Sequence, residues 1–175
     1  MFSFFLLTQR YILITSIILF STGCVSNNYE IYLGNKDSGK IDNFDSLEIR
    51  KRHLDYLNAL RQERGLTNLQ ISDSLNSSAA THARDIFKQQ RAWNFGSDGS
   101  SPQKRAEVSG FKGVITGENV SETYEGEFLV LQVWLKNSLS RSVLLNKEAT
   151  HLGLGWFQQE NGKIWWVQIL GLQNN

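Results

Sequence analysis

The sequence predicts an α+β domain, a three-layer α-β-α sandwich around a central, mainly antiparallel sheet. Two observations carry that expectation. Near the C-terminus HLGLGWFQ and KIWWVQILG flank Glu160-Asn161-Gly162, and Asn-Gly between apolar runs is a strong hairpin signal. The second run is apolar at nearly every position from Ile164 to Leu170, the pattern of a strand covered on both faces. Upstream, apolar residues recur at three- and four-residue spacing, so helices are available for both faces.

The elements follow in order. In DSLEIRKRHLDYLNALRQERG, Ile49, Tyr56, Leu57 and Leu60 share one helical face, with Leu54 at its margin. Asp45 or Ser46 is placed to cap the start, and Gly65 stands where a left-handed C-terminal residue belongs. A second helix begins near Asp73, with Leu75, Ala79, His82, Ala83 and Ile86 in phase. Small residues at 78–80 permit close packing there. Gly96-Ser97-Asp98-Gly99 is a turn cluster, after which Ser101-Pro102 reads as N-cap and first residue of a short helix ending at Gly110. VITGENV is strand-like. A fourth helix is expected over roughly 125–137, with Phe128, Leu131 and Leu135 on one side and Val130 and Trp134 close by.

The first 44 residues read differently. An apolar run over residues 11–20, preceded by Arg10 and followed by Ser21-Thr22-Gly23, has the anatomy of a secretory signal and is shorter than the ~20 apolar residues of a membrane span. Cys24, the sole cysteine, follows directly, as in a bacterial lipobox, although Ser21 stands where leucine is usual. Residues 1–23 are therefore expected to be a signal peptide, with Cys24 acylated. Residues 24–44 form a polar tether, and 45–175 form the exported domain, which folds without disulfides. The expected partner is a membrane, engaged through acyl chains, at a bacterial outer membrane or cell surface.

Charge excludes one class of partner. Eighteen basic residues face seventeen acidic ones for a net charge of +1. No basic track for nucleic acid stands out, and the triplet Arg50-Lys51-Arg52 reads as a solvated helical face.

Taken together, LNALRQERGLTNL, ATHARDI, GSDGSSPQKR, GENV, VWLKNS and THLGLGW, in that order, closely resemble the bacterial branch of the CAP superfamily, also called SCP domains. The name abbreviates cysteine-rich secretory proteins, antigen 5 and pathogenesis-related proteins. The resemblance covers about residues 47–171 and implies the same α-β-α sandwich. It also implies a cleft in which many members place two histidines and two acidic residues able to hold a divalent metal. Asn94 stands where the first histidine belongs and Ser140 where the second does. Asn137 takes the second acidic position, and Glu118 keeps the glutamate of Gly-Glu-Asn. Zinc prefers imidazole, thiolate or carboxylate, so Asn94, Ser140, Asn137 and one glutamate make a poor zinc site. No metal and no cofactor are expected.

The cleft is thus expected to be lined by Asn94, Glu118 and Ser140. Glu118 is expected to bond to main-chain N–H groups of a neighbouring loop, although it is also a candidate base or ligand. His151, with Glu118 and Ser140, forms the constellation a hydrolase would need, without a nucleophile-elbow pattern around Ser140. His82 reads as a packed or surface histidine and His53 as solvated. Most tryptophans are expected in the core, with Trp165 and Trp166 on opposite faces of one strand. Trp93 is the candidate for an exposed contact. The expected function is a lipid-anchored, non-enzymatic module that binds a protein or host ligand. The alternatives are a protease-like hydrolase using Glu118 and His151, or a lipid- or sterol-binding protein, activities suggested for some CAP relatives.

Overall fold

The strand that is apolar at nearly every position organises the molecule. In the computed structural model, which describes residues 41, 46–123 and 126–173, the elements are α1 (Ser46–Gln62), β1 (Gln70–Ile71), α2 (Asp73–Gln89), α3 (Pro102–Val108), β2 (Gly113–Thr123), α4 (Glu127–Lys136), α5 (Ser138–Leu144), β3 (His151–Gln158) and β4 (Ile164–Gln173). The sheet order is β1-β3-β4-β2. Strand β4 is antiparallel to both neighbours, and the two-residue β1 pairs parallel with β3.

Alternation along β4 divides the core in two. Ile164, Trp166 and Leu170 pack with Ile49, Leu57, Val130, Leu131, Trp134 and Leu144 from α1, α4 and α5. Trp165, Val167 and Ile169 pack with Leu75, Ala79, Ala83, Ile86 and Ala106 from α2 and α3. A strand buried on both faces needs two apolar faces, which is why its sequence does not alternate. The three-layer sandwich follows, with the paired tryptophans separated as their spacing requires.

Helix α2 lies unusually close to the sheet. A Cβ added at Gly155 would come within 2.1 Å of the Ala80 nitrogen, and one at Gly153 within 2.3 Å of the Leu75 carbonyl carbon. Gly155 therefore faces Ala79 and Ala80 of α2, and Gly153 faces Leu75, and the two glycines let backbone approach backbone.

Several expectations of the sequence are corrected here. Helix α1 buries His53 and Arg61 completely, alongside Ile49 and Leu57. Arg61 donates from Nε to the Thr67 carbonyl, from Nη1 to those of Leu144 and Asn146, and from Nη2 to that of Ala149. This side chain fastens the end of α1 to the segment between α5 and β3. The 50–52 triplet is not a free solvated face. Arg50 donates to the Leu154 carbonyl and lies 5.1 Å over Trp156, and Arg52 pairs with Glu127, whereas Lys51 is exposed beside Asp55. Helix α5 and strand β1 were not anticipated. Asn137, instead of standing in for an acidic ligand, caps α5 by accepting from the Leu139 and Ser140 N–H groups.

The signal, Cys24 and nearly all of the tether lie outside the described residues. Ile41 is described: its N–H donates to Gln158 Oε1 at the end of β3, and its side chain packs on the α1 side of the core. Among the described residues no helix is long and apolar enough to cross a membrane.

Candidate functional site

The Gly-Glu-Asn tripeptide lies within β2, beyond an irregularity in its pairing between Ile115 and Gly117. Consecutive strand residues point to opposite faces. Glu118 accordingly meets α2, α3 and the loop between them, while Asn119 meets α5.

On the first face Glu118 is almost sealed, its side chain 1% exposed. Arg105 of α3 reaches it with a single nitrogen, Nη2, at 2.8 Å from Oε1 and 2.9 Å from Oε2. Asn94 Nδ2 donates to Oε1 at 3.0 Å and to the Glu118 carbonyl at 3.1 Å. The partners of Glu118 are therefore side chains, not the main-chain N–H groups expected. His82, fully buried on α2, places Nε2 3.7 Å from Oε1. The same nitrogen is 2.9 Å from the Trp93 carbonyl, to which it donates as the Nε2–H tautomer. Burial pushes the Glu118 carboxyl above its usual range, against the charge of Arg105 and the hydrogen bonds from Arg105 and Asn94. Burial, then the charge of Arg105, lowers the pKa of His82 to about 4. His82 is thus neutral at physiological pH.

The turn-rich loop serves this arrangement. Asp85 of α2 accepts from the Ser97 N–H and hydroxyl, Gln89 holds Trp93 Nε1, and Gly99 takes φ 78°. Arg105 in turn donates to the Ser100 and Asn94 carbonyls. Turn chemistry in the loop therefore positions Asn94, and the short helix, capped by Ser101, positions Arg105.

On the opposite face Asn119 Nδ2 donates to the Ser140 carbonyl at 3.1 Å and lies 3.4 Å from Gln168 Oε1. Gln168 Nε2 stands 2.8 Å from His53 Nε2, which accepts as the neutral ring. His53 Nδ1 faces the Glu127 main chain without a hydrogen bond of good geometry. Burial lowers the pKa of His53 to about 4.

Of the expected cleft residues, then, Asn94 and Glu118 are bonded to each other. Ser140 contributes its carbonyl on the other side of the sheet. His151 holds Thr150 Oγ1 at 2.9 Å through Nδ1 and lies edge-on to Phe111, so neither Ser140 nor His151 joins Glu118 in a triad. Trp93 is half-buried against the α2 side of the core under Arg91, and its neighbour Phe95, 53% exposed, is the outward ring. Sequence reasoning missed Arg105 and His82 as members of the site. Their signal was position: Arg105 ends the quoted run GSDGSSPQKR, and His82 shares the helical face of Ala79, Ala83 and Ile86.

The metal implied by the family resemblance does not fit this donor set. Asn94 turns its amide nitrogen to Glu118, Ser140 turns its carbonyl to Asn119, and both Glu118 oxygens accept from a guanidinium. Among the described residues no group of three or more His, Cys, Asp or Glu could hold a metal ion.

The model of the cysteine-rich secretory protein family, CAP, matches residues 54–170. The uncharacterized protein YkwD of Bacillus subtilis is 29% identical over 121 residues, 69% of this chain and 46% of that protein. The chain thus spans about half the length of the curated relative it matches. An outer surface protein of Borrelia burgdorferi superposes with a TM-score of 0.64 at 18% identity, over 77% of this chain and 98% of that one. An extracellular SCP-domain protein of Bacillus anthracis gives 0.64 at 20% identity, over 70% and 40% respectively. At such identities the two structures show a shared fold.

Proposed function

Because the chain belongs to the CAP family, we propose that it is a CAP domain displayed on a bacterial envelope, anchored through acyl chains on Cys24, which binds a protein or host ligand without catalysis. One observation carries the non-enzymatic part. The cleft carboxylate of Glu118 is buried and committed to Arg105 and Asn94. A general base needs an oxygen within hydrogen-bond reach of a substrate proton, and both oxygens here already accept from Arg105. The hydrolase alternative requires His151 beside Glu118, and His151 is engaged with Thr150 and Phe111 instead. A sterol or lipid site requires a deep apolar groove. Among the described residues one groove, of about 440 Å³ at the hairpin, is edged by Phe87 and Phe157 but also by Gln158, Gln159, Glu160 and Asn161.

Envelope display is supported by the apolar run over residues 11–20 with Gly23-Cys24 shortly after it, and by the surface and extracellular descriptions of the two solved relatives. The test has two arms. Radiolabelled palmitate should enter the full chain expressed in bacteria and be lost in Cys24→Ser, which should leave the membrane fraction. Peptide and ester hydrolysis by the full chain in detergent should be unchanged by Glu118→Gln. Turnover that disappears with Glu118→Gln would overturn the non-enzymatic reading, and membrane retention of Cys24→Ser would overturn the anchor.

A further inference from the structure

The hairpin that joins β3 to β4 carries more chemistry than its turn requires. Asn161-Gly162 is enough to close it: Gly162 takes φ 89°, and its N–H donates to the Gln159 carbonyl at 3.0 Å. The Gln159 N–H donates to the Lys163 carbonyl at 2.8 Å, and the Lys163 N–H to Asn161 Oδ1 at 3.1 Å. Gln158 braces the same turn. Its Nε2 donates to the Gly162 carbonyl at 3.0 Å while its Oε1 accepts from the Ile41 N–H at 2.7 Å. The side chains of Gln159 and Glu160 take no part in this. Among the described residues no hydrogen bond or ion pair engages either of them, nor Asn161 Nδ2.

These uncommitted groups line the groove of about 440 Å³ together with Phe87 and Phe157, and its volume falls within the ~300–1,000 Å³ of small-molecule sites. Phe87 of α2 and Phe157 of β3 stack with ring centres 4.5 Å apart at 27°. Trp165, fully buried, meets Phe87 edge-on at 6.3 Å. Lys163, paired with Glu122, lies 4.6 Å from the Trp165 ring centre. The rings are therefore held in place before a ligand arrives, which lowers the cost of binding one.

Charge and polarity select the ligand. Of the six lining residues none is cationic, three are carboxamides and one is a carboxylate. A phosphate, sulfate or uronate would meet repulsion and no counter-charge. A sterol or acyl chain would leave polar side chains facing hydrocarbon. A pyranose ring satisfies both halves of the lining. Its C–H face carries slight positive charge and packs on the negative face of an aromatic ring. Its hydroxyls each donate and accept, as carboxamides do, and a carboxylate accepts from two neighbouring hydroxyls.

We infer that the hairpin groove is a binding site for a neutral saccharide. Phe87 and Phe157 take the C–H face of a sugar ring, and Gln159, Glu160 and Asn161 take its hydroxyls. The inference rests on the reading of the domain as a non-catalytic binding module and deepens it by naming the class of ligand. It also places that ligand outside the Glu118 cleft, whose residues do not line the groove.

The test is an NMR titration of the isotope-labelled full chain, in a zwitterionic detergent free of sugar, with chitotriose and with cellotriose. At least one of the two should bind with a Kd of about 1 mM or tighter. The side-chain amide signals of Gln159 and Asn161 should move, and that of Asn94 should stay. Phe157→Leu, which keeps an apolar side chain, should weaken binding about tenfold. Gln159→Ala, which breaks no side-chain bond of the fold, should weaken it roughly threefold. Should Phe157→Leu fold poorly, Gln159→Ala and the amide shifts still decide. Absence of saturable binding by both trisaccharides, affinity unmoved by both substitutions, or shifts centred on Asn94 would overturn the inference. So would a sialylated trisaccharide or a blocked tripeptide that binds as tightly with the same amide shifts. Each of these failures leaves palmitate labelling at Cys24 and the Glu118→Gln comparison as they were, so loss of the saccharide and loss of the display reading are told apart.

Discussion

Two buried polar clusters lie back to back across the sheet, and they solve the same problem differently. The Glu118 cluster is ionic: a carboxylate, a guanidinium, an amide and a neutral imidazole, reached through a turn-rich loop. The Asn119 cluster is neutral: two amides, a carbonyl and an imidazole, between β2, β4, α1 and α5. The two differ by one position in β2, because adjacent strand residues face opposite layers. Each holds a histidine with its pKa lowered to about 4 by burial, so the imidazole is the shared element and the charge is the difference. The lesson is that polar burial near a loop can use charge, because donors can be brought from several elements. Polar burial within the layers is satisfied by neutral groups that hydrogen-bond one another.

The comparison is broken most forcefully at Arg105. Arg105→Ala leaves Glu118 as an uncompensated buried charge and should destabilise the domain by about 3–5 kcal/mol in urea unfolding. Adding Glu118→Gln should return part of that loss. If the double variant is less stable by the sum of the two single effects, the pair is not coupled as drawn.

Acid tests the shared element. Between pH about 6.5 and about 4 the unfolded chain binds protons at His53 and His82 that the folded chain does not, so stability falls as pH falls through that window. Each histidine contributes at most on the order of 3 kcal/mol to the loss. Glu118 works in the opposite direction, since its raised pKa lets the folded chain take a proton first. The urea midpoint should therefore drop on acidification, and His53→Leu should remove the larger part of the drop, because no carboxylate opposes His53. An unchanged slope in that variant would show that His53 is not buried neutral.

The smallest effect belongs to the neutral cluster. Gln168→Leu removes the group between His53 and Asn119 and should cost about 1–3 kcal/mol, the penalty of leaving buried polar groups unpaired. A loss as large as that of Arg105→Ala would erase the distinction between the two clusters.

Much of this was legible beforehand, for identifiable reasons. The hairpin, the doubly covered β4 and the Ser101-Pro102 start of α3 are local features, written in periodicity and turn chemistry. Asn94 and Glu118 were expected in one cleft through the family pattern, but their hydrogen bond to each other was not. His53 and Arg61 were not, because a charged or titratable residue on a helical stripe reads as solvated until its partners arrive from distant segments: Gln168 for one, the carbonyls of residues 144–149 for the other. Helix α5 escaped because its seven residues carry too short a pattern to establish a period.

By itself, then, the sequence determined the layers, the family and the polar, histidine-poor composition of the cleft, since these depend on residue type and near-neighbour spacing. Tertiary structure alone decided which polar residues meet. Pairing β2 with β4 sent Glu118 toward Arg105 and His82, and sent Asn119 toward Gln168 and Ser140. It also left His151 beside Phe111. Those outcomes depend on register and on which helix covers which face, contacts between residues far apart in the chain that no local spacing specifies.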